Sequence, residues 1–372
     1  MDDYRVIGPA PIAVLSRYIA DRAKVGKVAW SFVRCSLSRG GIPILLVLLL
    51  PALVVASGQN RAGTASVPEL LIPVGARDMA MGGATIATTS GIEALHWNPA
   101  GFASGGGGSS MMFSTMSYIA DIRLNYAAAG RSFGRWGHLA LHLKNLDFGE
   151  IPITTERAPD GTGGRYSPTF LTLGTSYAGG LTDRINVGFT IHYIVNRIDR
   201  VEGAAVSFSA GLQYANLGAI RDLDLGVTVK HIGTRMEFEG SGLLRAGQLD
   251  HVRRPGSLYQ VPSSSADLPS LFELGIAYRY AEVRVASVFQ HHNFAFDQWK
   301  TGIEYEINEY LALRSGFDFA VDTGDDKYIF GTSFGAGLRF ELTEIRRIRV
   351  DYAYTATEYF DGLDTVTIQL SF

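Results

Sequence analysis

The chain has 372 residues, a formal net charge of −3 and a hydrophobic content of 47%, with a mean hydropathy of +0.10. A chain this apolar that carries only one long apolar run is not a polytopic helical membrane protein. Nor does it carry the basic field that nucleic-acid binding needs. The remaining explanation is apolar residues spread through many alternating strands, a pattern that 43 glycines and 11% aromatics also fit.

The apolar run is Ile42 to Ala56, preceded by Arg34 and Arg39 and followed by Ser57-Gly58-Gln59. A basic flank, about 15 apolar residues and small residues at the exit define a secretory leader. Pro43 and Pro51 weaken the run as a spanning helix, although a retained anchor is the alternative. Met1 to Phe32 is long for the basic part of a leader, so a start downstream of Met1 fits better. Residues 1–58 are therefore expected to be an N-terminal extension and signal peptide. The only cysteine, Cys35, leaves with them, so the mature chain has no thiol chemistry. Removing 1–58 takes away seven Lys/Arg and three Asp/Glu and leaves a net of about −7.

Residues 67–105 form a second regime. The stretch is rich in small residues (Gly75, Ala76, Gly82, Gly83, Ala84, Ala87), and its Trp97 precedes an Asn98-Pro99-Ala100-Gly101 turn. Asn before Pro forms turns, and Pro99 would stop a short helix over 92–97. The glycines call for close backbone packing. Gly105 to Gly108 then act as a flexible joint.

From Ser109 to the C-terminus the period-2 signal repeats. Phe189, Ile191 and Tyr193 alternate with Gly188, Thr190 and His192; Leu139, Leu141 and Leu143 alternate with Ala140, His142 and Lys144. Fourteen strands are predicted: 109–118, 122–133, 137–147, 167–181, 185–198, 204–215, 223–232, 270–280, 283–293, 298–307, 311–319, 329–340, 347–356 and 364–372. Most have the roughly 9–11 residues a tilted strand needs to cross a bilayer. Tight connections at 134–136, 182–184, 281–282 and 308–310 alternate with longer ones at 149–166, 233–269 and 320–327. That asymmetry and the even strand number point to an all-β, antiparallel, transmembrane barrel over 109–372. Closure also removes exposed edges. The terminal Phe372, in phase with Val366, Ile368 and Leu370, resembles the signal by which the barrel assembly machinery recognises its clients.

The segment before the barrel carries a family resemblance. Ala76, Arg77, Met81, Gly82, Gly83, Ala84, Trp97, Asn98, Pro99, Ala100 and Gly101 resemble the opening of PorV/PorQ-type proteins, relatives of the FadL long-chain fatty-acid transporters. The resemblance implies a bacterial outer-membrane barrel of about fourteen strands, with 67–105 as a plug. It also implies binding or passage of a hydrophobic small molecule. The alternative within the class is a type IX secretion accessory that docks a secreted cargo protein on its outer loops.

No enzyme emerges. Gly331-Thr332-Ser333-Phe334-Gly335 has the G-x-S-x-G spacing but lies inside a strand, where the nucleophile elbow cannot form. His291-His292 lacks a carboxylate or Cys at ligand spacing and is expected at a solvated loop edge. Asp318, Asp322, Asp325 and Asp326 lack calcium-loop order. No cofactor, metal or nucleic-acid partner is expected, and a barrel-embedded hydrolase lacks its Ser–His pair. Arg284, Glu304, Glu306, Arg314, Arg349 and Asp351 fall on the polar phase of the late strands and are expected to face the lumen. There they form either a structural ion network or a polar path.

Overall fold

The computed structural model describes residues 63–372 apart from 219, 248–256, 322–327 and 344–345. The expected leader over 1–58, with Cys35 and the apolar run, lies outside the described residues, as do Asp322, Asp325 and Asp326.

Fourteen long strands make the wall: β1 (Ser109–Ser117), β2 (Arg123–Ser132), β3 (His138–Asp147), β4 (Thr169–Gly180), β5 (Ile185–Ile198), β6 (Val201–Tyr214) and β7 (Leu223–Gly233), followed by β8 (Leu271–Tyr280), β9 (Val283–His292), β10 (Gln298–Glu306), β11 (Leu311–Ala320), β12 (Phe330–Thr343), β13 (Arg346–Thr357) and β14 (Leu363–Ser371). Each pairs antiparallel with its sequence neighbours, and β1 pairs with β14, so the sheet closes. Ser109 and Phe372 exchange backbone hydrogen bonds of 3.2 and 2.9 Å at the seam. Among the described residues no helix is long and apolar enough to cross a membrane; the strands do the crossing.

Alternation gives each strand two faces of opposite character. Leu141, Phe189, Ile191, Phe272, Ile303, Phe334 and Ile368 are exposed on the outside. His142, Thr190, Glu273, Glu304, Arg314 and Thr367 are buried within. A water-soluble protein has the reverse arrangement. An apolar outer band around a polar interior is what a bilayer requires. The three longest connections, 148–168, 234–270 and 321–329, share one rim, which marks it as the outer one and puts the C-terminus on the periplasmic side.

One irregularity breaks the alternation. The β6–β7 register shifts between Phe208 and Ala210, and His231 opposite takes a left-handed φ of 60° and donates its N–H to Ser209 Oγ at 3.2 Å. The bulge turns consecutive residues Lys230 and His231 both inward.

Candidate functional site: the filled lumen

Residues 66–108 run through the lumen from the outer rim to the periplasmic rim. Ser66 N donates to the Asp267 carbonyl, at 2.9 Å, in the long connection between β7 and β8. Val67 and Leu70 then pack with Ile194, Ala205, Met236 and Leu268. A short helix α1 (Ala76–Ala80) and a single turn α2 (Ala94–Trp97) occupy mid-barrel. Gly108 and Ser109 deliver the chain to the seam.

The wall is cut to receive this segment. Gly188 faces Gly211 across β5–β6, Gly226 faces Gly275 across β7–β8, and Gly302 faces Gly316 across β10–β11. A Cβ at any of the six would fall within 3.0 Å of an inner-segment residue: Pro99, Asn98, Ile86, Ile86, Met81 and Gly82, respectively. Paired glycines on adjacent strands thus open three shallow grooves in which the segment lies. The reciprocal requirement appears on the segment itself, where Gly82 and Gly83 adopt φ of 63° and 75° and Gly82 abuts the Phe317 backbone.

The motif residues take up definite positions. Ala76 N donates to Thr367 Oγ1 of β14 at 2.8 Å. Trp97 Nε1 donates to the Val74 carbonyl at 2.9 Å, tying α2 back to the start of α1. Asn98 Nδ2 donates to the carbonyls of Ile86 (2.7 Å) and Leu212 (3.1 Å), while its Oδ1 accepts from Ala100 N at 3.2 Å. Asn98 is therefore at once a cap and a tether to the wall. Met81, Ala84 and Ile86 share an apolar cluster with Ala277, Ala286 and Val288, and Gly101 N closes the turn on the Asn98 carbonyl at 2.9 Å.

Beneath the segment, in the periplasmic half, lies a buried ion network. Glu304 receives Arg77 (3.1 Å), Arg284 (2.6 Å) and Arg314 (2.6 Å). Arg314 continues to Asp351 at 2.8 Å, and Asp351 to Arg349 at 2.7 Å. Arg349 pairs with Glu93, back on the segment. Arg77 also holds Asp78 at 3.1 Å, which accepts from Thr89 Oγ1 at 3.0 Å. Burial and the nearby Glu93 push the Asp78 carboxyl upward, with Arg77 opposing. Four guanidiniums meet four carboxylates, as burial demands. The structure thus brings Arg284, Glu304, Arg314, Arg349 and Asp351 together. Glu306 stands apart at the rim, paired with Arg339 at 2.8 Å.

Above the segment, in the outer half, is a cavity of about 290 Å³. Leu70, Ile72, Trp97, Leu271 and Phe330 supply apolar wall. Lys230 Nζ and Lys300 Nζ lie 5.6 and 6.0 Å from the centroid of the Trp97 ring. Lys230 is paired with Glu273 at 2.8 Å.

Two expectations need correction. His292 is not at a solvated loop edge but buried on the inner face of β9, and a carboxylate does sit beside the pair: Asp297 bonds His291 Nδ1 at 2.8 Å and accepts from His292 N at 3.2 Å. The four intervening residues, 293–296, fold back, which spacing along the strand does not reveal. The G-x-S-x-G serine lies in strand β12 as expected, its hydroxyl bonded to Thr355 Oγ1 at 3.0 Å. Sequence reasoning missed Asp78, Glu93, Lys144, Lys230 and Glu273. For the last three the available signal was a charge on the inward phase of a strand.

A closed fourteen-stranded barrel with an apolar exterior and a lumen filled by its own N-terminal segment is an outer-membrane β-barrel. The solved structures it resembles bear this out at the level of fold: a CymD monoaromatic hydrocarbon channel matches with a TM-score of 0.53 at 11% identity, over 81% of this chain and 98% of that one. The Pseudomonas putida toluene transporter TodX matches with a TM-score of 0.52 at 13% identity, over 81% and 98%. No curated relative matches the sequence. The family model described as type IX secretion system protein PorV matches residues 55–239. The chain thus resembles the PorV family over residues 55–239 and is a protein of the bacterial outer membrane. A secretion protein, a channel and a transporter are its matches, not enzymes.

Proposed function

We propose that the barrel holds a hydrophobic small molecule in the outer-half cavity and passes it across the outer membrane, with residues 67–105 as the plug that controls passage. The observation that carries this reading is the stacking of the lumen: apolar cavity, inner segment, then ion network. A ligand reaching the cavity past Leu70 and Ile72 meets Trp97 as its floor. It cannot proceed until the segment moves, because the segment occupies the glycine grooves. Apolar lining with a few convergent polar groups is the composition of a small-molecule site. The hydrocarbon specificities of the channel and the transporter with similar folds agree with it. No covalent chemistry is involved, and the polar groups orient the ligand.

Deleting Val74–Phe102 tests the plug. The strands and the Ser109–Phe372 seam remain, so the variant should assemble and show raised conductance in planar bilayers. An assembled variant with unchanged conductance removes the reading.

A second reading, cargo docking in type IX secretion, is favoured by the family description and by the outer hairpin of Leu244–Gly247 and Ser257–Gln260, which exposes Leu258 and Tyr259. Removing residues 244–260 should abolish cargo co-purification while leaving ligand retention intact. Retention of cargo by that variant speaks against this second reading.

A further inference from the structure

A row of aromatic rings crosses the inner face from β2 to β7, and its last member, His231, also lines the outer-half cavity. Tyr126 lies 5.6 Å from His142, His142 lies 5.4 Å from His192, and His192 lies 5.4 Å from His231, between ring centroids. The row is packed for neutral rings. His142 and His231 each bury an Nδ1 without a hydrogen-bond partner, and His192 Nδ1 meets Ser207 Oγ at 3.4 Å. Gly174 on β4, between His142 and His192, leaves room for the His142 ring.

The charged groups around the row come from every element packed on it. Lys144 on β3 donates Nζ to the carbonyls of Ile72 (2.6 Å) and Leu70 (3.4 Å) of the inner segment. Lys230 on β7 stands over Trp97 of the segment. The segment contributes His96, whose pKa is lowered by desolvation and by Lys144 and Lys230, as well as Glu69 and the more distant Asp78. On β8 to β10 are Glu273, His292 and Lys300. The nearby carboxylates are already engaged, Glu69 by Asn196 Nδ2 at 2.6 Å and Glu273 by Lys230 and Thr228. With neutral imidazoles Lys144 and Lys230 face Glu69 and Glu273, and Lys300 adds a further positive charge. Each proton added to the row is uncompensated, and it lands beside the two lysines that grip the segment.

We propose that the His142–His192–His231 row is an acid-operated release for the inner segment: protonation repels Lys144 and Lys230, loosens the segment from the β3–β7 wall and opens the lumen. The proton is the ligand of the site, and the release draws on the difference between rings buried neutral and rings charged in water. The inference rests on the plug reading above.

The test is single-channel conductance of the full-length protein in planar bilayers, stepped from about pH 7.5 to about pH 4.5, across and below the ordinary imidazole range. The wild type should open reversibly on acidification. The combined variant His142→Gln, His192→Gln, His231→Gln, shown to be assembled by heat-modifiable gel migration, should lose that step. If the triple variant does not assemble, His192→Gln alone, at the centre of the row, should shift the step to lower pH. An acid step unchanged in these variants but lost in Glu93→Gln would assign the response to the ion network and overturn the proposal. A wild type without an acid step overturns it too, while the Val74–Phe102 deletion at neutral pH independently reports whether the segment blocks the lumen.

Discussion

Arg77 of the inner segment and Glu304 of β10 meet in a two-pronged ion pair, Nε to Oε2 at 3.2 Å and Nη2 to Oε1 at 3.1 Å, with both side chains almost wholly buried. The geometry is the fork-on-fork arrangement that only a guanidinium offers. Arg77 is one of the motif positions, whereas Glu304 lies far along the chain, so the pair fastens the family signature to the wall.

Glu304→Gln should be the most damaging single change in the network. It leaves Arg77, Arg284 and Arg314 facing an amide, and removing one partner from a buried pair costs about 3–5 kcal/mol. Glu306→Gln, at the exposed rim, should cost less than about 1 kcal/mol. Urea unfolding of the two variants in lipid vesicles, followed by tryptophan fluorescence, gives the comparison; equal losses would mean that Glu304 is not the hub.

The paired glycines predict a steric route to the same end. Gly211→Leu would place a side chain where the Asn98 amide now sits, and Gly316→Leu would do so at the Met81–Gly82 peptide. Overpacking of this kind costs about 1–3 kcal/mol. Here the cost should fall on the segment, because the β6 and β11 ladders are untouched. Assembled barrels with raised conductance are expected, whereas Gly331→Ala, with open space around its Cβ position, should behave as wild type.

How much of this was legible in the sequence follows from what alternation can carry. A period of two fixes strand existence and facing, so all fourteen strands and the inward placement of Glu304, Arg314 and Asp351 could be read directly. Cross-strand neighbours depend on register, which turns and the β6–β7 bulge set. The glycine pairs and the histidine row were therefore invisible: Gly188 and Gly211 are 23 positions apart and meet only in the sheet, and His231 is out of phase with its own strand. Asp78 and Glu93 were hidden differently, in a stretch whose small residues dominate its character.

Facing itself can be tested at Ile191, mid-strand on β5 and exposed on the outer surface. Ile191→Arg should cost about 2–4 kcal/mol if the position lies at the bilayer midplane, and Ile191→Phe almost nothing. Refolding yield into vesicles measures both. An arginine as well tolerated as phenylalanine would place this face in water.

The path of the inner segment makes the sharpest topological prediction. Ser66 is bound through its Oγ as well as its N–H to the Ala266 and Asp267 carbonyls, in the connection that leaves β7 at the outer rim. Gly105 to Gly108, by contrast, lie beside Phe372 and Ser132 at the periplasmic rim. The chain therefore descends through the barrel before it begins to build the wall. The mature protein has no cysteine of its own if the leader is removed at 1–58, so single cysteines can be placed at will. Ala65→Cys should react with a membrane-impermeant maleimide on intact cells, and Gly106→Cys only after the outer membrane is breached. Ala65→Cys that labels only after the outer membrane is breached would mean that the segment enters from the periplasm, and that the strap of Val67 to Ile72 does not stand between the outside and the cavity.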